Sequence, residues 1–241
     1  FIVRGTGAKR VAIRALGPSL ASSGVQNFLS DPKLELHDST GRVIASNDNW
    51  QSAPNEQDVI DVGLAPKKPN EAVILTTLPA GDSASAYTAV VSGANGSSGI
   101  GLVEVYDIDS GPGSSVLNIS TRGNVEAGDG AMIAGFIIGG LDPTKVIVRA
   151  IGPSLSASGV AGALRDPVLE LRDAQGSLIF SNDNWRSDQE RQIVDSTVPP
   201  TDNKESAIVA TLTPGNYTAM VRGVGDTSGV ALVEVYNLDG N

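Results

Sequence analysis

The chain has 241 residues, 17 Lys+Arg against 27 Asp+Glu for a net charge of −10, no Cys, and 40% hydrophobic residues of which few are aromatic. That charge balance repels phosphate backbones and anionic lipid surfaces, and the missing thiols exclude disulfides, thiolate metal sites and a Cys nucleophile. No apolar run approaches the roughly 20 residues of a membrane-spanning helix, so neither nucleic acid nor membrane insertion is expected.

Phe1-Ile2-Val3 opens the chain as a short extended segment, and Val11, Ile13 and Ala15 then share one face of a strand. Lys33-Leu-Glu-Leu-His37 alternates two inward leucines around Glu35. The turn Asp38-Ser-Thr-Gly41 and a partner strand Arg42–Ala45 complete a hairpin, in which Asp caps nearby amides and Gly tolerates positive φ. Pro54–Val62 has the look of a turn or two of helix, and strands follow at Ala72–Thr77, Tyr87–Ser92 and Leu102–Tyr106. Asp109-Ser-Gly-Pro-Gly-Ser-Ser115 reads as a linker.

After it the chain says nearly the same thing again. Arg14-Ala-Leu-Gly-Pro-Ser-Leu20 returns as Arg149-Ala-Ile-Gly-Pro-Ser-Leu155, Ser46-Asn-Asp-Asn-Trp50 as Ser181-Asn-Asp-Asn-Trp185, and Val103-Glu-Val-Tyr106 as Val233-Glu-Val-Tyr236. The offset is 135 residues up to Trp50/Trp185, 134 by Glu71/Glu205 and 130 from Tyr87/Tyr217 onward, which places a four-residue indel in the 78–87 connection, expected at an exposed loop tip. Many short strands with frequent turn signals, doubled, predict an all-β protein of two tandem β-sandwiches, Ig-like or jelly-roll-like, over residues 1–110 and 111–241.

One segment has no twin. Val116-Leu117-Asn-Ile119-Ser-Thr121-Arg122 reads as a strand, as does Ala131–Ile138, yet nothing ahead of Phe1 matches residues 116–135. One strand-bearing segment thus serves two modules, and the first is expected to lack its N-terminal strand and to expose an open edge, a template for another chain. Filling such a slot buries roughly 300 Å² of apolar surface, worth about 7 kcal/mol before association costs. Val116, Leu117, Ile119 and Thr121, with Phe1, Ile2 and Val3, are therefore the expected assembly strands. Phe1 is no translation start and no signal peptide precedes it, so the stretch reads as a processed or partial chain.

The string RA(L/I)GPSL, DP-x-LEL-x-D-x-x-G, SNDNW and LVEVY resembles a module that recurs in tandem in secreted and surface proteins of bacteria. The stretches Leu34–Tyr106 and Leu169–Tyr236 are also similar to the pre-peptidase C-terminal β-sandwich of secreted hydrolases. The resemblance implies an extracellular or cell-surface location and carries no catalytic residues over.

Candidate chemistry is sparse. Asn47-Asp48-Asn49 and Asn182-Asp183-Asn184 offer hard oxygens suited to calcium, which takes six to eight of them; the competing reading has the same side chains closing turns onto their own amides, with no metal. Trp50 and Trp185 are either sugar-stacking platforms or core plugs bonded to a carbonyl, and sequence favours the plug. His37 is the single imidazole, and its surface strand position argues against a catalytic triad. Glu35/Glu170 and Glu104/Glu234 recur, with Arg14 and Arg149 as partners for one pair, and Tyr106 and Tyr236 are expected to point their hydroxyls outward. The expected function is non-enzymatic: a structural subunit of a bacterial surface filament, self-associating by strand sharing. The alternative is a polysaccharide- or surface-binding accessory module of a larger secreted enzyme.

Overall fold

The computed structural model describes residues 1–79, 85–109, 114–128 and 130–239. The chain is all-β with short helical turns and divides into two compact units, Phe1–Leu117 and Asn118–Asn241. The division falls inside a strand, seven residues beyond the expected linker boundary at 110/111; residues 110–113 of that linker lie outside the described residues.

In the first unit the strands are β1 (Ile2–Gly5), β2 (Lys9–Leu16), β3 (Pro32–His37), β4 (Val43–Asn47), β5 (Ala72–Leu78), β6 (Ser85–Ala86), β7 (Thr88–Gly93) and β8 (Leu102–Asp107). A helical turn α1 (Glu56–Asp61) sits between β4 and β5. One layer has the order β5-β2-β8 and the other β4-β3-β7, all antiparallel. Val11, Ile13 and Ala15 of β2 meet Leu34 and Leu36 of β3, Ala72 and Ile74 of β5 and the inner residues of β7 and β8 in one core. The opposite face of β2 is covered too: Ala12 joins Trp50, Val59, Val73 and Leu75 in a second cluster. A strand buried on both faces loses strict alternation, as the run Val11-Ala-Ile13 does.

β9 (Ser114–Val125) begins in the first unit, where it neighbours β1 and where Val116 packs on the core. It ends in the second, where Asn118–Val125 pairs antiparallel with β16 (Gly229–Asn237). The second unit adds β10 (Met132–Ile138), β11 (Thr144–Ile151), β12 (Pro167–Arg172), β13 (Leu178–Asn182), α2 (Glu190–Asp195), β14 (Ser206–Leu212) and β15 (Gly215–Gly223). Its layers run β14-β11-β16-β9 and β10-β15-β12-β13 around Val146, Val148, Leu169, Leu171, Val221, Val233 and their neighbours.

The 12-residue length of β9 bears on the one-for-two count. A strand this long divides itself, with Val116 in the first core and Ile119 and Val125 against the second. Ile119 is registered opposite Val235 and Thr121 opposite Val233, so within one chain these residues are in use rather than held in reserve. Phe1, Ile2 and Val3 are likewise engaged in their own unit. Ile2 and Val3 register with Ala86 and Ser85, Val3 is fully buried, and Phe1 stacks on Tyr87 at 5.7 Å and 25°. Phe136 and Tyr217 repeat that stack with the same distance and angle, so β1 is the trailing end of a β10-like strand.

Candidate interaction edge and the repeated polar clusters

Three polar clusters recur in both units, and each is built from the repeated motifs. In the RALGPSL turn, Gly17 passes so close to Leu29 that a Cβ would stand 1.9 Å from its carbonyl oxygen. Pro18 then opens a single 3-10 turn, and its amides need an acceptor. Glu71, with no exposed surface, supplies it: Oε1 accepts from the Gly17 and Ser19 amides at 3.0 and 2.8 Å, and Oε2 accepts from the Ser19 hydroxyl at 2.5 Å. Glu205 repeats the arrangement on Gly152 and Ser154 and also accepts from the Asp202 amide. Sequence reasoning met these two glutamates only as alignment markers; an acid just ahead of an apolar strand in both copies was the available signal.

The SNDNW turns are clamps. Asn47 donates to the Asn49 carbonyl at 3.1 Å and accepts from the Val73 amide at 2.9 Å; Asn182 does the same with Asn184 and Ala207. Asp48 and Asp183 each accept from the following asparagine. Asn47 Oδ1 and Asn182 Oδ1 are occupied in closing turns, while Asp48 Oδ1 is buried with no hydrogen-bond partner among the described residues. Trp50 and Trp185 are buried, their ring N–H groups donating to Lys68 and Asp202 carbonyls at 3.1 and 3.0 Å. They are plugs between the sheet and the α1 or α2 turn.

Arg14 lies over the Tyr106 ring at 5.1 Å and donates to Glu104 at 2.7 Å and to the Leu64 carbonyl; Arg149, Tyr236, Glu234 and Val198 repeat the set. The tyrosine hydroxyls do not point free into solvent as expected: each donates to its glutamate at 3.0 Å. Burial, followed by the neighbouring carboxylate, pushes both phenols above their ordinary 10.0. Glu35 and Glu170 serve the surface instead, paired with Lys33 and Arg172. His37 holds its Nδ1 against the Gly41 carbonyl at 3.1 Å with Nε2 facing Glu35 at 3.5 Å. Asp38 accepts from Thr40 and Arg42, so no His–Ser–Asp relay forms beside Ser39.

The units differ in how their sheet edges are paired. In the second, β16 is flanked by β11 on one side and β9 on the other. In the first, β8 pairs with β2, and among the described residues no strand lies on its other edge. The consequence is visible residue by residue. Val233 and Val235 are buried under Asn118–Val125, whereas their counterparts Val103 and Val105 are only partly buried. Leu102 and Ile100 are 40% and 54% exposed. The same holds in the facing layer. Met132–Gly135 pairs with Thr218–Val221 of β15, while among the described residues no strand pairs with the matching edge of Thr88–Val91 of β7, and Val91 is partly buried where its counterpart Val221 is fully buried. Among the described residues, an edge of each layer of the first unit is therefore unpaired.

No family model and no curated protein matches the chain. Among solved structures it is similar to the pre-peptidase C-terminal domain of a collagenase from Bacillus anthracis, 12% identical, covering 49% of this chain and 89% of that one with a TM-score of 0.32. A protein of Sulfolobus Turreted Icosahedral Virus is 10% identical over 98% and 85% of the two chains, TM-score 0.30. The major capsid protein of bacteriophage PM2 is 10% identical over 97% and 88%, TM-score 0.25. With TM-scores this low, none of the three carries an argument about this chain.

Proposed function

We propose that the chain is a non-enzymatic, extracellular structural module that joins to its neighbours by strand addition at the open edge of its first unit. The observation that supports this reading is the unpaired second edge of β8, flanked by apolar side chains that the twin unit covers. An exposed edge with an apolar face is a template for another strand unless charge or proline blunts it. Here Leu102, Val103 and Val105 carry neither. The duplicated polar clusters serve the same end, since each ties a turn or a plug to a sheet. The filament form and the bacterial cell surface follow from the resemblance and belong to this proposal. A polysaccharide-binding role rested on Trp50 and Trp185, which are buried with their N–H groups bonded.

Sedimentation velocity of the chain across about 1–200 µM tests the proposal. The chain is expected to associate with rising concentration. The Leu102→Lys, Val90→Lys double variant, altered only at exposed side chains, is expected to stay monomeric, because edge lysines oppose strand addition. A wild-type chain that remains monomeric throughout, or a variant that associates as well as wild type, would sink it.

A further inference from the structure

We infer that the β3–β4 hairpin of the first unit is fastened by a proton that the second unit does not need: the doubly protonated ring of His37 bridges Glu35 and the Gly41 carbonyl, as the permanent guanidinium of Arg172 bridges Glu170 and the Gly176 carbonyl. The tie is independent of strand addition at β8 and gives the first unit alone a response to pH.

His37 and Arg172 hold the same place in the repeat. His37 lies opposite Val43 and Arg172 opposite Leu178, each beside a bulge in its hairpin. Arg172 donates from Nε and Nη2 to Glu170 Oε2 at 3.0 and 2.6 Å, and from Nη1 to the Gly176 carbonyl at 2.8 Å. His37 sets Nδ1 at 3.1 Å from the Gly41 carbonyl oxygen and Nε2 at 3.5 Å from Glu35 Oε2. A carbonyl only accepts, so Nδ1 carries a proton. Glu35 is kept ionised by the Lys33 ammonium, which donates to its Oε1 at 2.8 Å, so it has no proton to offer Nε2. A neutral ring would therefore turn the Nε2 lone pair on a carboxylate. Nε2 is shielded from solvent, and among the described residues no donor reaches it. A buried acceptor left unpaired is costly, and the ring protonated on both nitrogens is the form that satisfies both contacts.

The charge around the ring comes from Glu35 with Lys33 on β3 and from Asp38 in the turn. Asp38 is occupied by Thr40 and Arg42. β4 and β7 bring Val43 and Thr88 opposite His37, and Ala86 of β6 and Val90 of β7 line the same shallow hollow, none of them charged. Glu35 is thus the acid that holds the proton in place. The tie is complete at low pH and is lost as pH rises through the imidazole range, whereas Arg172 keeps its charge throughout.

Amide hydrogen exchange on the full chain, followed by NMR from about pH 5.5 to pH 8, tests this. The readout is the protection of the paired amides in Val43–Asn47 divided by that of Leu178–Asn182, a ratio in which the intrinsic pH dependence of exchange cancels. The ratio is expected to fall at least about twofold as pH rises. It is expected to stay flat in His37→Arg, which copies the second unit, and in Glu35→Gln, which removes the carboxylate. A ratio that is constant in the wild-type chain would overturn the inference, and so would a fall that survives in either variant.

Discussion

Glu71 and Glu205 have no exposed surface, and backbone amides with one serine hydroxyl serve as their donors. Removing such an acceptor leaves the 3-10 turn amides buried and unpaired, at 1–3 kcal/mol or so for each orphaned group. Glu205→Ala is therefore expected to cost about 3 kcal/mol or more in urea unfolding, and Ser154→Ala, which removes one donor, about 1 kcal/mol. Equal small losses for both would contradict the turn-anchoring role. The pH response also belongs to this scale. Asp38 is held down at about 2, first by the Thr40 hydroxyl and then by the Thr40 and Arg42 amides. Its folded value lies below the unfolded one, so its contribution is present above about pH 4 and is lost as pH falls toward 2. A carboxyl titration followed by NMR is expected to place Asp38 near 2 and to move it upward in Thr40→Ala. Tyr106 and Tyr236 act at the other end. Burial first, and then Glu104 or Glu234, favours the neutral phenol in the folded state. That contribution is complete below about pH 10 and is lost as pH rises further, so the alkaline fall in stability should be flatter in the Tyr106→Phe, Tyr236→Phe double variant.

Strands of this chain were largely legible in the sequence because most have one face on a core and alternate accordingly. Leu34 and Leu36 of β3 were read inward and are fully buried, and the Asp38–Gly41 turn forms as its chemistry requires, with Gly41 at φ 82. The short helical turn expected over 54–62 stands as α1. What sequence could not convey was how a single strand is apportioned. A 12-residue strand has the reach to enter two cores, and its alternation is the same whether one unit owns it or two. The tip of the 78–87 connection, where the indel was expected, lies outside the described residues. The buried glutamates escaped for a different reason, since a charged residue is read as surface until its donors are located. Element scale also yields a separable prediction. Val125 is fully buried in the second core, and Val125→Ala is expected to cost about 2 kcal/mol there. Native-state hydrogen exchange should register the loss at β11 and β14 and leave β2 and β5 unchanged.

For the whole molecule, the central claim is that the first unit is a copy of the second whose β8 and β7 edges are unpaired among the described residues. The Phe–Tyr stacks and the Arg–Tyr contacts at 5.1 Å repeat in both units, while among the described residues the outer edges of β8 and β7 are paired only in the second unit's counterparts. On the proposed reading, function is a property of that edge. Hydrogen exchange on the assembled material, compared with the dilute chain, measures this directly. The dilute chain is expected to exchange quickly at the free-edge amides of Leu102–Asp107 and at Thr88–Val91. In the assembly those amides should become as protected as Leu232–Asn237 and Thr218–Val221 already are. Protection unchanged on assembly, or equal in the two units from the start, would contradict the account.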